Sequence, residues 1–169
     1  MPSLSDKYCL DANVLIEAWN KYYSPTFCPD YWEVLNDLGL AGRIFLPELV
    51  HEEIVRTDDD LAAWLKSSKI QTQAIDGEVT KFLQEIYSKD ARHKLLVDSK
   101  KNRSLADPWV IAHAMKENAC VVTKEEKITT VSSKSVKIPN VCENMDVRCI
   151  NDFEFVAELD IVFTARIRA

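Results

Sequence analysis

Three glycines in 169 residues are too few for a loop-rich domain, and neither a P-loop nor a dinucleotide fingerprint is present. The cysteines are odd in number, and no pair has Cys-x-x-Cys spacing, which argues against a zinc site and against a disulfide framework. Cys9, Cys28, Cys120, Cys142 and Cys149 therefore read as buried free thiols in a reducing compartment. No apolar run approaches the length of a membrane span, and Met1 to Lys7 lacks the basic-then-apolar order of a signal peptide, so the expected location is the cytoplasm, with no membrane partner. Repeats and low-complexity tracts are also lacking. A net charge of -6 excludes a surface that coats nucleic acid throughout. It leaves room for a local basic group, for which Lys89, Arg92, His93 and Lys94 with Lys100, Lys101 and Arg103 are candidates, a solvated face being the plainer reading.

What is present is a 47% hydrophobic chain, enough for one sizeable core and too short to divide comfortably, so a single domain over 1–169 with its core at about 8–160 is expected. Tyr8-Cys9-Leu10 reads as a strand that feeds a helix from Asn13 to Trp19. Asp30 is placed to cap a helix through Trp32 and Leu35 to Gly39. Ile44-Phe45-Leu46 is a strand stopped by Pro47, and helices follow over Pro47 to Arg56, Asp59 to Ser67 and Gly77 to Tyr87. Ser88 to Arg103 is polar and fits helix or loop. Helical periodicity returns from Leu105 to Glu117, with Pro108 in the first turn, before a strand at Ala119 to Thr123. A polar loop, a short element at Ile138 to Asn144, a strand at Val147 to Ile150 and a helix capped at Asn151-Asp152 complete the order, and Ile161 to Ile167 carries no assignment. Alternating strands and helices imply a mostly parallel sheet covered on both faces.

Acids stand at four places that this architecture would bring together: Asp11 after the first strand, Glu52 or Glu53 on the helix after the second, Asp107 opening a later helix, and Glu125 beyond the strongest strand. Each alone is more often a helix cap or a solvated side chain, and it is their joint placement that points to chemistry. A phosphoryl-transfer domain with Asp11 as nucleophile would want a second Asp two residues on, where this chain has Asn13. The histidines His51, His93 and His113 form no ligand set by spacing, His113 reading as a core-edge residue, and the tryptophans read as core packing.

Four stretches carry a resemblance: Tyr8-Cys9-Leu10-Asp11-Ala12-Asn13-Val14-Leu15-Ile16, Leu46-Pro47-Glu48-Leu49-Val50-His51-Glu52-Glu53-Ile54, Leu105-Ala106-Asp107-Pro108-Trp109-Val110-Ile111-Ala112-His113-Ala114, and Cys120-Val121-Val122-Thr123-Lys124-Glu125. In order and spacing the chain resembles the PIN domain family from about Tyr8 to Ile150, and within it the PIN-related families catalogued as domains of unknown function and related to the VapC-like toxins of bacterial toxin–antitoxin pairs. The resemblance implies a PIN-like three-layer α/β/α sandwich. It also implies an active site of acids binding magnesium or manganese, with Asp11, Glu53 and Asp107 at the three matching positions. Glu53 is preferred to Glu52 because it directly precedes apolar Ile54 and lies three after Val50. The family's fourth acid is usually an aspartate in Thr-x-Asp, whereas Thr123-Lys124-Glu125 offers a longer glutamate for a second metal or for positioning water, with Glu126 as its substitute. Hard divalent cations prefer such oxygen donors, and magnesium takes only one or two carboxylates directly. Asn13 is expected to bond Asp11 or a metal-bound water, or else to cap its helix, and Thr123 to orient a carboxylate or contact phosphate, or else to bond backbone.

The implied activity is metal-dependent hydrolysis of single-stranded RNA as an endoribonuclease, which extends to the toxin of a toxin–antitoxin pair with an antitoxin protein as partner, and to a homodimer. The alternatives are a catalytically silent module acting by protein binding and a nuclease acting on structured DNA.

Overall fold

Parallel strands cannot be joined by tight turns, so each short apolar run in this chain must be followed by a helical crossover before the next can pair. The computed structural model describes residues 7–97, 105–130 and 134–168. Its strands are β1 Tyr8–Leu10, β2 Ile44–Pro47, β3 Gln71–Gln73, β4 Cys120–Val122 and β5 Cys149–Ile150, in the order β3-β2-β1-β4-β5 with every pairing parallel. Helices α1 Ala12–Asn20 and α2 Pro29–Leu40 link β1 to β2, and α3 Glu48–Val55 and α4 Asp60–Ser67 link β2 to β3. The chain then returns past β1 through α5 Gly77–Lys89, a 3-10 turn at Ala91–Leu96 and α6 Asp107–Glu117, and α7 Ile138–Asn144 joins β4 to β5 before α8 Asp152–Glu158.

Reversing the direction of travel across a sheet with right-handed crossovers changes the face that is covered. Side chains on β1 mark the two faces, because successive residues of a strand point opposite ways. Cys9 turns its thiol to the Val110 carbonyl of α6 at 3.5 Å, whereas the neighbouring Tyr8 ring packs edge-on against Phe155 of α8 at 5.1 Å. The result is the expected three-layer α/β/α sandwich. β1, β2 and β4 are buried throughout, and covering both faces explains why they read as unbroken apolar runs rather than alternating ones. All five cysteines are free, and Cys9, Cys120 and Cys142 are buried among these layers, whereas Cys28, before α2, and Cys149, on the edge strand β5, are only half-buried.

Four elements differ from the sequence reading or extend it. β3 has no apolar residue and is mostly exposed, so it shows no hydrophobic signal; it is an edge strand held by pairing Phe45, Leu46 and Pro47 of β2 with Gln71, Thr72 and Gln73. Asp30 is not the cap of α2: Pro29 opens the helix after Cys28, and Asp30 lies in the first turn, where its charge favours the helix dipole. The undecided polar stretch continues α5 to Lys89 and then forms the 3-10 turn, while Lys100, Lys101 and Arg103 lie outside the described residues. The segment 161–167 is irregular, with the Phe163 ring stacked on Tyr23 at 4.9 Å. Trp19, Trp32 and Trp64 pack together as expected, with centroids 4.7 to 6.2 Å apart.

Gly39 shows how closely α2 approaches the sheet. A Cβ there would meet the Ile70 backbone nitrogen and Cα at 2.7 Å and the Lys69 carbonyl carbon at 2.8 Å. These are backbone atoms and cannot swing aside. Gly39→Ala should therefore lower stability by about 3 kcal/mol, read as the urea midpoint. A change within about 0.5 kcal/mol, the range of an ordinary surface substitution, would mean that α2 can lift off the start of β3 at little cost.

Candidate active site

Open parallel sheets bind ligands beyond the carboxyl ends of the strands, at the point where strand order reverses. Here that point lies between β1 and β4. Leu10 pairs with Val122, so the next residues, Asp11 and Thr123, leave the sheet side by side. The ladder runs one step further on each side, Asp11 N–H donating to the Val122 carbonyl at 3.0 Å and Thr123 N–H to that of Ile150 at 3.0 Å.

Asp11 is buried, and both its oxygens are engaged. One accepts the Ala12 N–H at 2.8 Å, which makes Asp11 the N-cap of α1, and the other accepts the Thr123 hydroxyl at 2.7 Å. The same hydroxyl oxygen accepts from the Glu125 N–H at 3.1 Å and the Asn13 amide at 3.4 Å, so Thr123 is the hub of the cluster. Asn13 does not cap the helix and reaches Asp11 only through Thr123; it holds β4's exit by accepting the Lys124 N–H at 3.0 Å. Burial pushes the Asp11 carboxyl up to about 6; the bonds from Thr123 and Ala12 oppose the rise, and the charges of Glu125 and Glu53 add to it.

The other acids arrive on different elements. α3 and α6 both start at the carboxyl edge of the sheet, α3 because it follows β2 directly and α6 because it must run back antiparallel to reach β4. Asp107 is half-buried in the first turn of α6. Glu53 is exposed about a turn and a half along α3, roughly 8 Å from its start. Partial desolvation raises its carboxyl, and Arg56 opposes this. Glu125 is half-buried and already bonded: it accepts the Ile138 N–H that opens α7 at 2.8 Å and the Lys137 ammonium at 3.4 Å. Glu52 and Glu126 are exposed. Among the described residues no group of three or more His, Cys, Asp or Glu side chains converges closely enough to hold a metal ion.

Beside this cluster stands a second one that the sequence reading did not single out. Asp152 is buried, accepts the Tyr22 hydroxyl at 2.7 Å and pairs with Lys124, whose ammonium lies 3.3 Å from both carboxylate oxygens. Lys124 also approaches Glu17 at 3.8 Å and lies over the Tyr22 ring at 4.7 Å. Asn151 and Glu154 form the reciprocal cap of α8, which leaves the Asp152 side chain free for this pair. The available signal was an Asp two residues beyond a strand at the sheet's carboxyl edge, one place further on than Asp11 stands after β1.

The histidines are corrected in two places. His93 is not part of a basic surface: it is buried, its Nδ1–H donates to the Ile86 carbonyl at 2.6 Å, its Nε2 faces the Asn144 amide at 2.9 Å, and neighbouring Arg92 is paired with Asp90. His113 lies in the core rather than at its edge, and neither ring nitrogen has a partner among the described residues. Desolvation and then Lys116 push its titration below the ordinary histidine range. Below pH 6.5 the unfolded chain therefore takes up a proton that the folded chain refuses, and stability falls with pH. His113→Leu should gain about 1–2 kcal/mol over wild type at pH 5.5 and less at pH 7.5 in urea melts. An advantage that does not grow on acidification would mean that the ring is protonated in the fold.

The family model described as Domain of unknown function (DUF4411) matches residues 8–163. No curated protein matches the sequence. Among solved structures, the crystal structure of VapBC2 from Rickettsia felis bound to a DNA fragment from their promoter contains a chain similar to this one, with a TM-score of 0.54 and 16% identity over 85% of this chain and 97% of that chain. At that identity the likeness is one of fold, and it agrees with the PIN-like α/β architecture. No helix among the described residues is long and apolar enough to cross a membrane.

Proposed function

The chain belongs to the family described as Domain of unknown function (DUF4411), and from that premise we propose that it is a metal-dependent endoribonuclease cutting single-stranded RNA at the carboxyl edge of its sheet. The observation that carries the reading is Asp11: a buried carboxylate at the topological switch point, pressed by the charges of Glu53 and Glu125, is costly to ionise and invites a cation. No three acids converge into a closed cage among the described residues, but magnesium needs only one or two direct carboxylates, so the fit rests on Asp11 with the other acids acting through water.

Asp11, Glu53 and Asp107 are the residues that would hold magnesium or manganese, directly or through water. The ion would supply charge neutralisation at the phosphodiester and a more acidic water as nucleophile. Thr123 and Ala12 fix the Asp11 carboxylate in one orientation. Asn13 and Glu125 fix Thr123, and Glu125, with Glu126 as its substitute, supports the site from the β4 side.

The likeness to a chain of VapBC2 and the resemblance to VapC-type toxins support a further step, that this protein is the toxin of a pair and that an antitoxin protein is its partner. A second reading, a silent binding module, is favoured by one observation: Glu125 is already spent on the start of α7.

Cleavage of an end-labelled, mixed-sequence single-stranded RNA, with magnesium, manganese or EDTA and with structured DNA as a parallel substrate, separates these readings. Metal-dependent cutting of RNA that disappears in Asp11→Asn is the expected result. Cutting of the DNA alone would reassign the substrate. A folded wild type that neither cuts nor binds manganese would leave the binding module.

A further inference from the structure

Beyond Thr123 and Glu125 the surface falls into a cavity of about 330 Å³, bounded on its far side by the end of β5 and the first turn of α8. That volume is at the small end of ligand clefts, which run from roughly 300 to 1,000 Å³, and suits one planar group rather than a large molecule. One wall is Phe153, which remains 55% exposed.

An exposed phenylalanine on a short helix would ordinarily be free to turn. Here it is held. The Lys124 ammonium lies 5.1 Å from the ring centroid, and the Tyr22 ring packs against it at 5.5 Å with a 41° tilt. Lys124 is itself locked by Asp152, and the reciprocal Asn151–Glu154 cap fixes the backbone turn that carries Phe153. The ring is thus oriented in advance by groups that are themselves fixed, which removes much of the ordering cost of stacking a ligand on it. Lys124 supports the ring from one side, and its neighbours Thr123 and Glu125 line the cavity themselves, so the cavity borders the acid site on its β4 side without being walled by Asp11, Glu53 or Asp107.

We propose that Phe153 is a stacking platform for a base of single-stranded RNA next to the cleaved phosphodiester. This rests on the ribonuclease reading and deepens it: only an unpaired strand can present a base face to this wall, since bases in a duplex are already stacked. The strongly acidic chain binds its substrate partly through this neutral contact, which salt does not screen. Lys124 contributes by orienting the ring.

The test uses a fluorescein-labelled, mixed-sequence 12-nucleotide RNA with manganese, bound to full-length Asp11→Asn protein as the uncut reference. Adding Phe153→Ala or Phe153→Leu should weaken binding by about tenfold, whereas Phe153→Trp should keep or tighten it, because leucine retains the bulk but not the aromatic face. The same leucine variant in an otherwise wild-type chain should raise KM for cleavage by a similar factor. Leucine and alanine variants that are folded, bind RNA as the reference does and cut with unchanged KM would overturn the platform and leave the nuclease standing. Failure of wild type to cut, together with failure of the reference to bind the RNA, would overturn the ribonuclease reading and the platform with it.

Discussion

Asp11→Asn is expected to remove RNA cleavage, by roughly a thousandfold or more, and to make the metal-free protein more stable at neutral pH. The first effect follows from deleting the one buried charge around which the site is arranged; losing a single preorganised electrostatic group in an active site acts on this scale. The second follows from the same burial. The folded carboxyl titrates at about 6 rather than 3.8, so the folded state prefers the protonated form. Ionising it above pH 6 costs about 3 kcal/mol, at about 1.4 kcal/mol for each unit. That cost is fully present above the folded pKa and is relieved as pH falls through 6 towards 4, so this group makes stability decline with rising pH over that window. Asparagine copies the neutral acid, and its amide oxygen can still accept the Thr123 hydroxyl. The difference between variant and wild type in urea melts should therefore be near zero at pH 4 and approach 3 kcal/mol at pH 7.5. Manganese should narrow it by stabilising wild type alone. A variant less stable than wild type at pH 7.5 would show that the bonds from Thr123 and Ala12 outweigh the cost of burial.

Lys124→Met is expected to destabilise the fold by about 3 kcal/mol, the scale observed when one partner of a buried ion pair is removed. The reason lies with the partner it leaves. The Asp152 side chain is 2% exposed, and in the variant it would keep the Tyr22 hydroxyl but no cation. The methionine fills most of the space between Tyr22 and Phe153, so lost packing contributes little. Lys124→Met with Asp152→Asn should recover most of the loss, because no uncompensated charge then remains, and the cycle of single and double variants measures the coupling. If the double variant were as unstable as the sum of the singles, the pair would be two independent surface contacts.

Some of this was legible in the sequence for local reasons. Tyr8-Cys9-Leu10 and Cys120-Val121-Val122 are unbroken apolar runs because both faces of the sheet are covered, and α6 is marked by Pro108 in its first turn and by its apolar period. Asp11 could be placed at a strand's end from its position alone. β3 could not be read, since Gln71-Thr72-Gln73 takes its backbone bonds from β2 and has no apolar face to announce them. Nor could Asp30 be distinguished as a first-turn residue rather than a cap, because Pro29 and Asp30 both favour a helix start and only the backbone angles decide between them.

By itself, the sequence determined the alternation of strands and helices, the parallel three-layer class that follows from it, and the set of acids at element ends, because periodicity and capping act over a few residues. Tertiary structure decided which of these groups meet. Thr123 reaches Asp11 across 112 residues and Lys124 reaches Asp152 across 28; Glu125 is claimed by the start of α7, and His113 is sealed in the core. Each of these depends on strand order and on desolvation, and both come into being only when the sheet closes.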